Sequence, residues 1–157
     1  MQTPAVVSIR EASGDELDLV ADLRIRMHEE VDNLPTPPAF AEATHRWLRE
    51  HTERGTMHSW LAEDDGKIVG TVSVRIRESS PRMHDLSAKE AYVHHLFVER
   101  PYRKRGIARR LMQALLDWCA ANGYGRIALR ATEMGRPLYE QLGFSADTAQ
   151  MVYKGKN

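Results

Sequence analysis

The chain has 157 residues, with 22 Lys+Arg balanced by 22 Asp+Glu, and this length predicts one domain over residues 1–157. A 42% hydrophobic and 28% charged composition supplies a core and a wettable surface, which excludes disorder over most of the chain, and the neutral balance argues against a nucleic-acid backbone as the main partner. No apolar run approaches the roughly 20 residues of a membrane span, the opening residues lack the pattern of a secretion signal, and the single Cys119 has no internal disulfide partner, so a cytoplasmic domain without membrane contact is expected.

Residues 6–9 read as a short strand. Ser13 and Glu16 stand at capping-box spacing, and Leu17, Val20, Ala21 and Leu23 then follow helical spacing to about Glu30 or Val31. Pro35, Pro37 and Pro38 prevent that helix from continuing. A second helix places Phe40, Thr44, Trp47, Leu48 and His51 on one side and ends at Gly55. Asp65-Gly66 marks a hairpin between two strands, the second carrying alternating Ile68, Val72, Val74 and Ile76. Residues 78–90, with Pro81 and several charges, read as a mobile loop.

Residues 92–98 form an apolar, strand-prone run with His94 and His95 inside it. Strict alternation puts the two histidines on opposite faces, His94 with Tyr92, Leu96 and Val98. A helix follows, on which Ile107, Ala108, Leu111, Leu115, Trp118 and Cys119 build one stripe before Asn122-Gly123 stops it. Residues 127–130 read as a strand, Pro137 opens a short helix to Leu142, and residues 144–154 supply two final strands. The order β-αα-βββ-α-β-α-ββ predicts an α/β protein (α+β by some schemes) with a mixed sheet and helices on both faces.

The junction Arg103-Lys104-Arg105-Gly106-Ile107-Ala108 joins a buried strand to an amphipathic helix and suits a phosphate. The first helical turn offers unpaired amides and partial positive charge, Gly106 permits close backbone approach, and small Ala108 leaves room. Arg103, Lys104, Arg105 and Arg109 add countercharge. Six of the positions 100–110 are Arg or Lys, but the run coincides with this junction, so a phosphate ligand explains it more economically than nucleic acid.

This RKRGIA segment resembles the acyl-CoA signature of the GNAT superfamily of N-acetyltransferases, Arg/Gln-x-x-Gly-x-Gly/Ala. The preceding HLFVERPYR and the later RPLYEQLGF resemble the family pattern in the same order and spacing. The resemblance implies a largely antiparallel sheet of six to seven strands and acetyl-CoA as co-substrate. It implies that the pyrophosphate lies on Arg103, Lys104, Arg105, Gly106, Ile107, Ala108 and Arg109. The pantetheine arm would pair with the backbone of Leu96, Phe97 and Val98, where the strands on either side of the signature helix splay apart. Ala108 stands where many members have a second Gly, which the pattern permits.

By residue type alone Tyr139 reads as packing beside Leu138 and Leu142; its register with RKRGIA reverses that, because the resemblance places it near the thioester sulfur, where a protonated phenol can stabilise the leaving thiolate. An alkyl ammonium has a pKa of about 10.4 and must lose a proton before attack. His94 is the candidate base, the alternatives being a hydrogen-bonded sheet histidine or a water chain. Cys119 continues the apolar stripe and reads as core, and the family generally transfers without an acyl-enzyme. His28, His45, His51, His58 and His84 form no tight set with carboxylates, so no metal is expected. Trp47 and Trp60 read as core or groove walls.

Relatives build the acceptor site from segments matching residues 23–40, 79–92 and 148–153. Glu29, Glu30 and Asp32 suit a cationic amine; Arg24 and Arg26 suit a carboxylate. A small amine or amino-acid-like acceptor is the first expectation and a protein or peptide amine the second. A non-catalytic acyl-CoA-binding module is the reading from another class. Many relatives dimerise, so a homodimer is a further expectation.

Overall fold

The computed structural model describes residues 6–147 and 149–155. Strand β1 (Val7–Glu11) leads through a short turn of helix at Gly14–Glu16 into α1 (Leu17–Asp32) and α2 (Pro38–Glu53). Strands β2 (Met57–Asp64), β3 (Lys67–Glu78) and β4 (Lys89–Val98) follow, then α3 (Ile107–Ala121), β5 (Ile127–Ala128) and α4 (Arg136–Gln141). The sheet order is β1-β2-β3-β4-β5, antiparallel except for the parallel pair β4 and β5.

Local chemistry accounts for these boundaries. The Glu16 carboxylate accepts the Ser13 backbone N–H at 3.0 Å and the two terminal Arg10 guanidinium nitrogens, Nη1 and Nη2, at 2.6 Å each, which tethers the start of α1 to β1. At the other end of α1, Asn33 adopts a left-handed conformation and Thr36 donates its N–H and hydroxyl to Glu29, so the chain turns before Pro38 opens α2. Asp65 and Gly66 both have positive φ, the turn geometry that matches the twist of paired strands.

Two apolar layers cover the sheet. On one face α3 buries Ile107, Leu111, Met112, Leu115 and Cys119 against Val69, Val72, Val74, Ala91, Val93 and Val98. On the other, α1 and α2 bury Val20, Ala21 and Leu48 against Met57 and Leu61. Burial pushes the Cys119 thiol up to about 11, consistent with a packing residue. At Gly70 a Cβ would lie 3.0 Å from the Phe97 carbonyl and 3.3 Å from Leu111, so this position lets β3, β4 and α3 close together.

Three expectations need correction. Among the described residues there are five strands rather than six to seven, and the final two are absent from residues 144–155; Thr148 lies outside the described residues. β5 is two residues long and offers little edge for another strand, while Met151 and Tyr153 are 94% and 89% exposed. The loop before β4 is tied down at its base: Glu90, only 5% exposed, accepts from Arg77, from Arg82 within the loop and from Arg126 next to β5.

The third correction is in β4. His94 pairs with Ser73 and Phe97 with Thr71, so His95 and Leu96 together face the single residue Val72. His95 takes φ 59°, the conformation of an inserted bulge residue. Alternation therefore breaks there. Leu96 and Val98 join Val93 on the α3 side, while the His94 and His95 rings both face α2 and stack at 4.9 Å.

Candidate active site

β4 pairs with β5 only at Ala91 and Tyr92, and beyond Tyr92 the edge of β4 that faces away from β3 is open among the described residues. At the end of this edge the chain passes through a short turn of helix at Arg100–Tyr102 and reaches α3 through Lys104 and Gly106, both with positive φ (64° and 78°). Gly106 caps α3, so the amides of Ile107, Ala108 and Arg109 have no acceptor within the helix. A cleft of about 240 Å³ occupies this corner. Val98 forms one wall, Arg103, Lys104, Gly106, Ile107, Ala108 and Arg109 form the floor, and Leu138 of α4 closes the far side. No Cβ contact within 4 Å constrains the space over Gly106. The arrangement suits a phosphate on the helix terminus and an extended chain along β4.

The basic residues divide. Lys104, Arg105 and Arg109 are exposed; Arg109 bonds Gln141, and the Arg105 guanidinium lies 5.4 Å from the Tyr102 ring, outside the cleft lining. Arg103 turns inward, donating to the Val98 carbonyl at 2.8 Å and to Glu30 of α1, with its guanidinium 5.5 Å from the Phe97 ring. Glu30 also accepts from Arg100, and these arginines hold its carboxyl below the usual range. Ile107 is 3% exposed, so its side chain belongs to the core and only its amide faces the cleft.

Tyr139 follows Leu138 on α4 and packs edge-on against Phe144 at 5.9 Å, on the α3 side of the sheet. Burial raises its phenol pKa, which keeps the hydroxyl protonated at neutral pH. His94 approaches from the opposite side. Its ring lies 5.3 Å from Trp47 and 4.8 Å from Tyr92. Burial first, then the charges of Arg75, Arg24 and Arg77, push His94 down to about 3; burial and Arg24 push His95 down to about 2. Both rings are neutral at physiological pH. The two catalytic candidates thus lie on opposite faces of the sheet.

Around the histidines lies a cluster that the sequence reading did not assemble. Arg24 of α1 stacks its guanidinium 4.8 Å from the Trp47 ring, and His28 lies 5.1 Å from Phe40 and 6.4 Å from His95. Arg75 of β3 completes the group, with its Nε buried and unbonded. The spacing of Arg24 to His28 and of Trp47 to His51, one helical turn each, is the signal that could have marked these faces.

Among the described residues, no group of three metal-binding side chains is found, and no helix is long and apolar enough to cross a membrane. The larger surface hollow, about 330 Å³ beside Asp15, Asp18, Arg49 and Glu53, involves none of the cleft or histidine-cluster residues.

Comparison with known proteins agrees with this architecture. The Acetyltransferase (GNAT) family model matches residues 22–144. Human N-acetyltransferase 8 is 30% identical over 96 residues, covering 59% of this chain and 40% of that protein. N-acetylaspartate synthetase of Xenopus tropicalis is 32% identical over 88 residues, covering 54% of this chain and 30% of that protein. The matched segments thus span less than half the length of these relatives. A predicted acetyltransferase from Clostridium acetobutylicum, crystallised with acetyl-CoA, superposes with a TM-score of 0.88 at 19% identity, covering 95% of this chain and 96% of that one. With a family match that runs from α1 to the end of α4 and a shared fold, the chain belongs to the GNAT family of acetyltransferases.

Proposed function

We propose that the protein transfers an acetyl group from acetyl-CoA directly to the primary amine of a small, amino-acid-like molecule. The observation that carries this reading is the cleft where the open edge of β4 ends at Val98 beside the α3 N-terminus, which sets unpaired helix amides next to a strand edge free for backbone pairing. Acetyl-CoA supplies a thioester whose carbonyl carbon accepts the amine lone pair as the C–S bond breaks and its electron pair leaves on sulfur.

The chain's residues divide the work around that event. The amides of Ile107, Ala108 and Arg109 bind the pyrophosphate, with Lys104, Arg105 and Arg109 supplying countercharge. Leu96, Phe97 and Val98 offer backbone groups to the pantetheine arm. Tyr139 donates its hydroxyl proton toward the departing thiolate. His94 accepts a hydrogen bond from the amine, and the proton released on attack leaves through His94 or a water beside it. A ring held near 3 is a weak base, so an amine must enter neutral or lose its proton in the site. The burial and positive charge that depress His94 also disfavour an ammonium there. Arg103 acts differently: bonded to Val98 and Glu30, it positions the loop.

The test is thiol release from acetyl-CoA against a panel of small amines, amino acids and peptides, beside calorimetric binding of acetyl-CoA. Binding with turnover of a small amine upholds the reading. Turnover of peptides alone moves the acceptor to the protein class, and tight binding with no turnover across the panel favours a sensor module. Failure to bind acetyl-CoA overturns it.

A further inference from the structure

Among the described residues, every buried side-chain nitrogen that lacks a hydrogen-bond partner belongs to one cluster: Arg24 Nε, His28 Nε2, Arg75 Nε and His94 Nε2. Buried polar groups are ordinarily satisfied, and an unexplained group of them drawn from α1, β3 and β4 calls for a ligand that supplies the missing partners. Elsewhere in the chain, partly buried guanidinium groups rest on carboxylates: Arg10 on Glu16, Arg77 and Arg82 on Glu90, Arg103 on Glu30. Arg24 does not. Burial alone perturbs it, and no acidic group of the described residues offsets that burial.

The surroundings point the same way. Trp47, stacked under Arg24, also touches His94 and His95, so the guanidinium stands within one side chain of the candidate acetyl-transfer position. The neighbouring histidines are neutral and do not serve as counter-ions. Of the acidic residues that could have drawn a cationic acceptor, Glu29 accepts from Thr36 and Glu30 from Arg100 and Arg103, while Asp32 acts on His28 through its charge and does not offset the burial of Arg24.

We propose that the acceptor carries a carboxylate beside its amine, and that Arg24, aided by Arg75, binds this carboxylate while His94 meets the amine. The inference rests on the acetyl-transfer reading and narrows its acceptor to amino acids and their derivatives rather than polyamines. A bound carboxylate also neutralises the Arg24 charge that opposes protonation of His94, so the correct acceptor improves the base that serves it. An amide or decarboxylated analogue brings no such charge.

The experiment compares kcat/KM for phenylalanine with phenylalaninamide and phenethylamine, and for aspartate with spermidine, while calorimetry follows acetyl-CoA. The expected result is at least a tenfold preference for the carboxylate-bearing amines, falling toward unity in Arg24→Gln and partly restored in Arg24→Lys, with acetyl-CoA affinity within twofold of the parent. Should Arg24→Gln fail to fold, Arg75→Gln reads the same preference. Equal rates on acid and amide, preference for spermidine, or acetyl-CoA binding without turnover of any carboxylate-bearing amine overturns the inference and leaves the acetyl-CoA reading standing. If acetyl-CoA itself does not bind, tryptophan fluorescence decides the carboxylate site: quenching by phenylalanine that vanishes in Arg24→Gln upholds it, and no quenching in the parent overturns it.

Discussion

Arg103 and Glu30, 73 residues apart in the chain, meet in an ion pair that ties the signature loop to α1. The pair shields one of the positive charges nearest the cleft. Glu30→Gln should therefore tighten acetyl-CoA binding two- to fivefold at low salt, with a steeper salt dependence, while costing less than about 1 kcal/mol of stability. Because the Glu30 carboxyl is held below its usual range, its stabilisation is present above about pH 4.3 and fades as pH falls through the lower folded value. Calorimetry across salt checks the first statement, and unfolding curves of parent and variant between pH 3 and about 6 check the second.

The loop arginines should separate by role. Reversing charge at the exposed Lys104 and Arg105 should weaken acetyl-CoA at least tenfold, with stability nearly unchanged. Arg103→Glu should instead lower thermal stability, because it removes the donor to the Val98 carbonyl and sets two acids against each other. Unchanged affinity in the first variant would place the pyrophosphate elsewhere.

Tyr139→Phe should slow turnover by about ten- to a hundredfold and leave the acetyl-CoA dissociation constant alone. Since burial raises the phenol pKa, turnover should show no loss from Tyr139 ionisation through neutral and mildly alkaline pH. Equal rates for the two proteins would reduce Tyr139 to its packing against Phe144.

His94 and His95 make folding sensitive to mild acid. In the unfolded chain each takes a proton near pH 6.5, whereas the folded rings resist it until about 3 and about 2, so stability falls as pH drops below 6.5. Between pH 7 and 5.5 the pair should cost roughly 2–3 kcal/mol, by the proton-linkage relation at about 1.36 kcal/mol per unit. Denaturant melts of the parent beside the His94→Gln/His95→Gln double variant would expose the difference. NMR titration should show both rings neutral throughout that range.

Removing the Glu90 carboxylate should free the loop at residues 79–88. Burial opposes its charge, but Arg77 and Arg126 outweigh that and hold the carboxyl below the usual range. Glu90→Ala leaves three arginines without their shared partner and should cost about 2–4 kcal/mol, with faster amide exchange at Ser79 and Arg82 than elsewhere in the sheet.

The helices and the signature loop were legible because their signals are local. Ser13 and Glu16 announce a helix start, the α3 stripe repeats at helical spacing, and Gly106 sits where only a left-handed cap fits easily. Asp65-Gly66 likewise needs no tertiary help. The faces of His95, Leu96 and Val98 were not legible, since nothing in His-His-Leu announces an inserted residue; pairing with Thr71 and Ser73 decides them. Arg24 and Arg75 lie on separate elements, and their common lack of a carboxylate emerges only when α1, α2 and β3 assemble. The last two expected strands rested on composition, and the two-residue β5 gives them no ladder to extend.

The bulge at His95 makes β4 a strand of two parities. Before it, odd-numbered residues such as Ala91 and Val93 point to α3; after it, even-numbered Leu96 and Val98 do. Substitution cannot alter that arithmetic, whereas loss of one residue would. A chain shortened by His95 alone would set Leu96 opposite Val72, keep Leu96 and Val98 toward α3 and Phe97 away from it, and lose only the second ring of the histidine wall. The second histidine is therefore an addition that the ladder tolerates without turning any core residue, so the composition of this wall can change by one inserted position while the sheet beneath it stays in register.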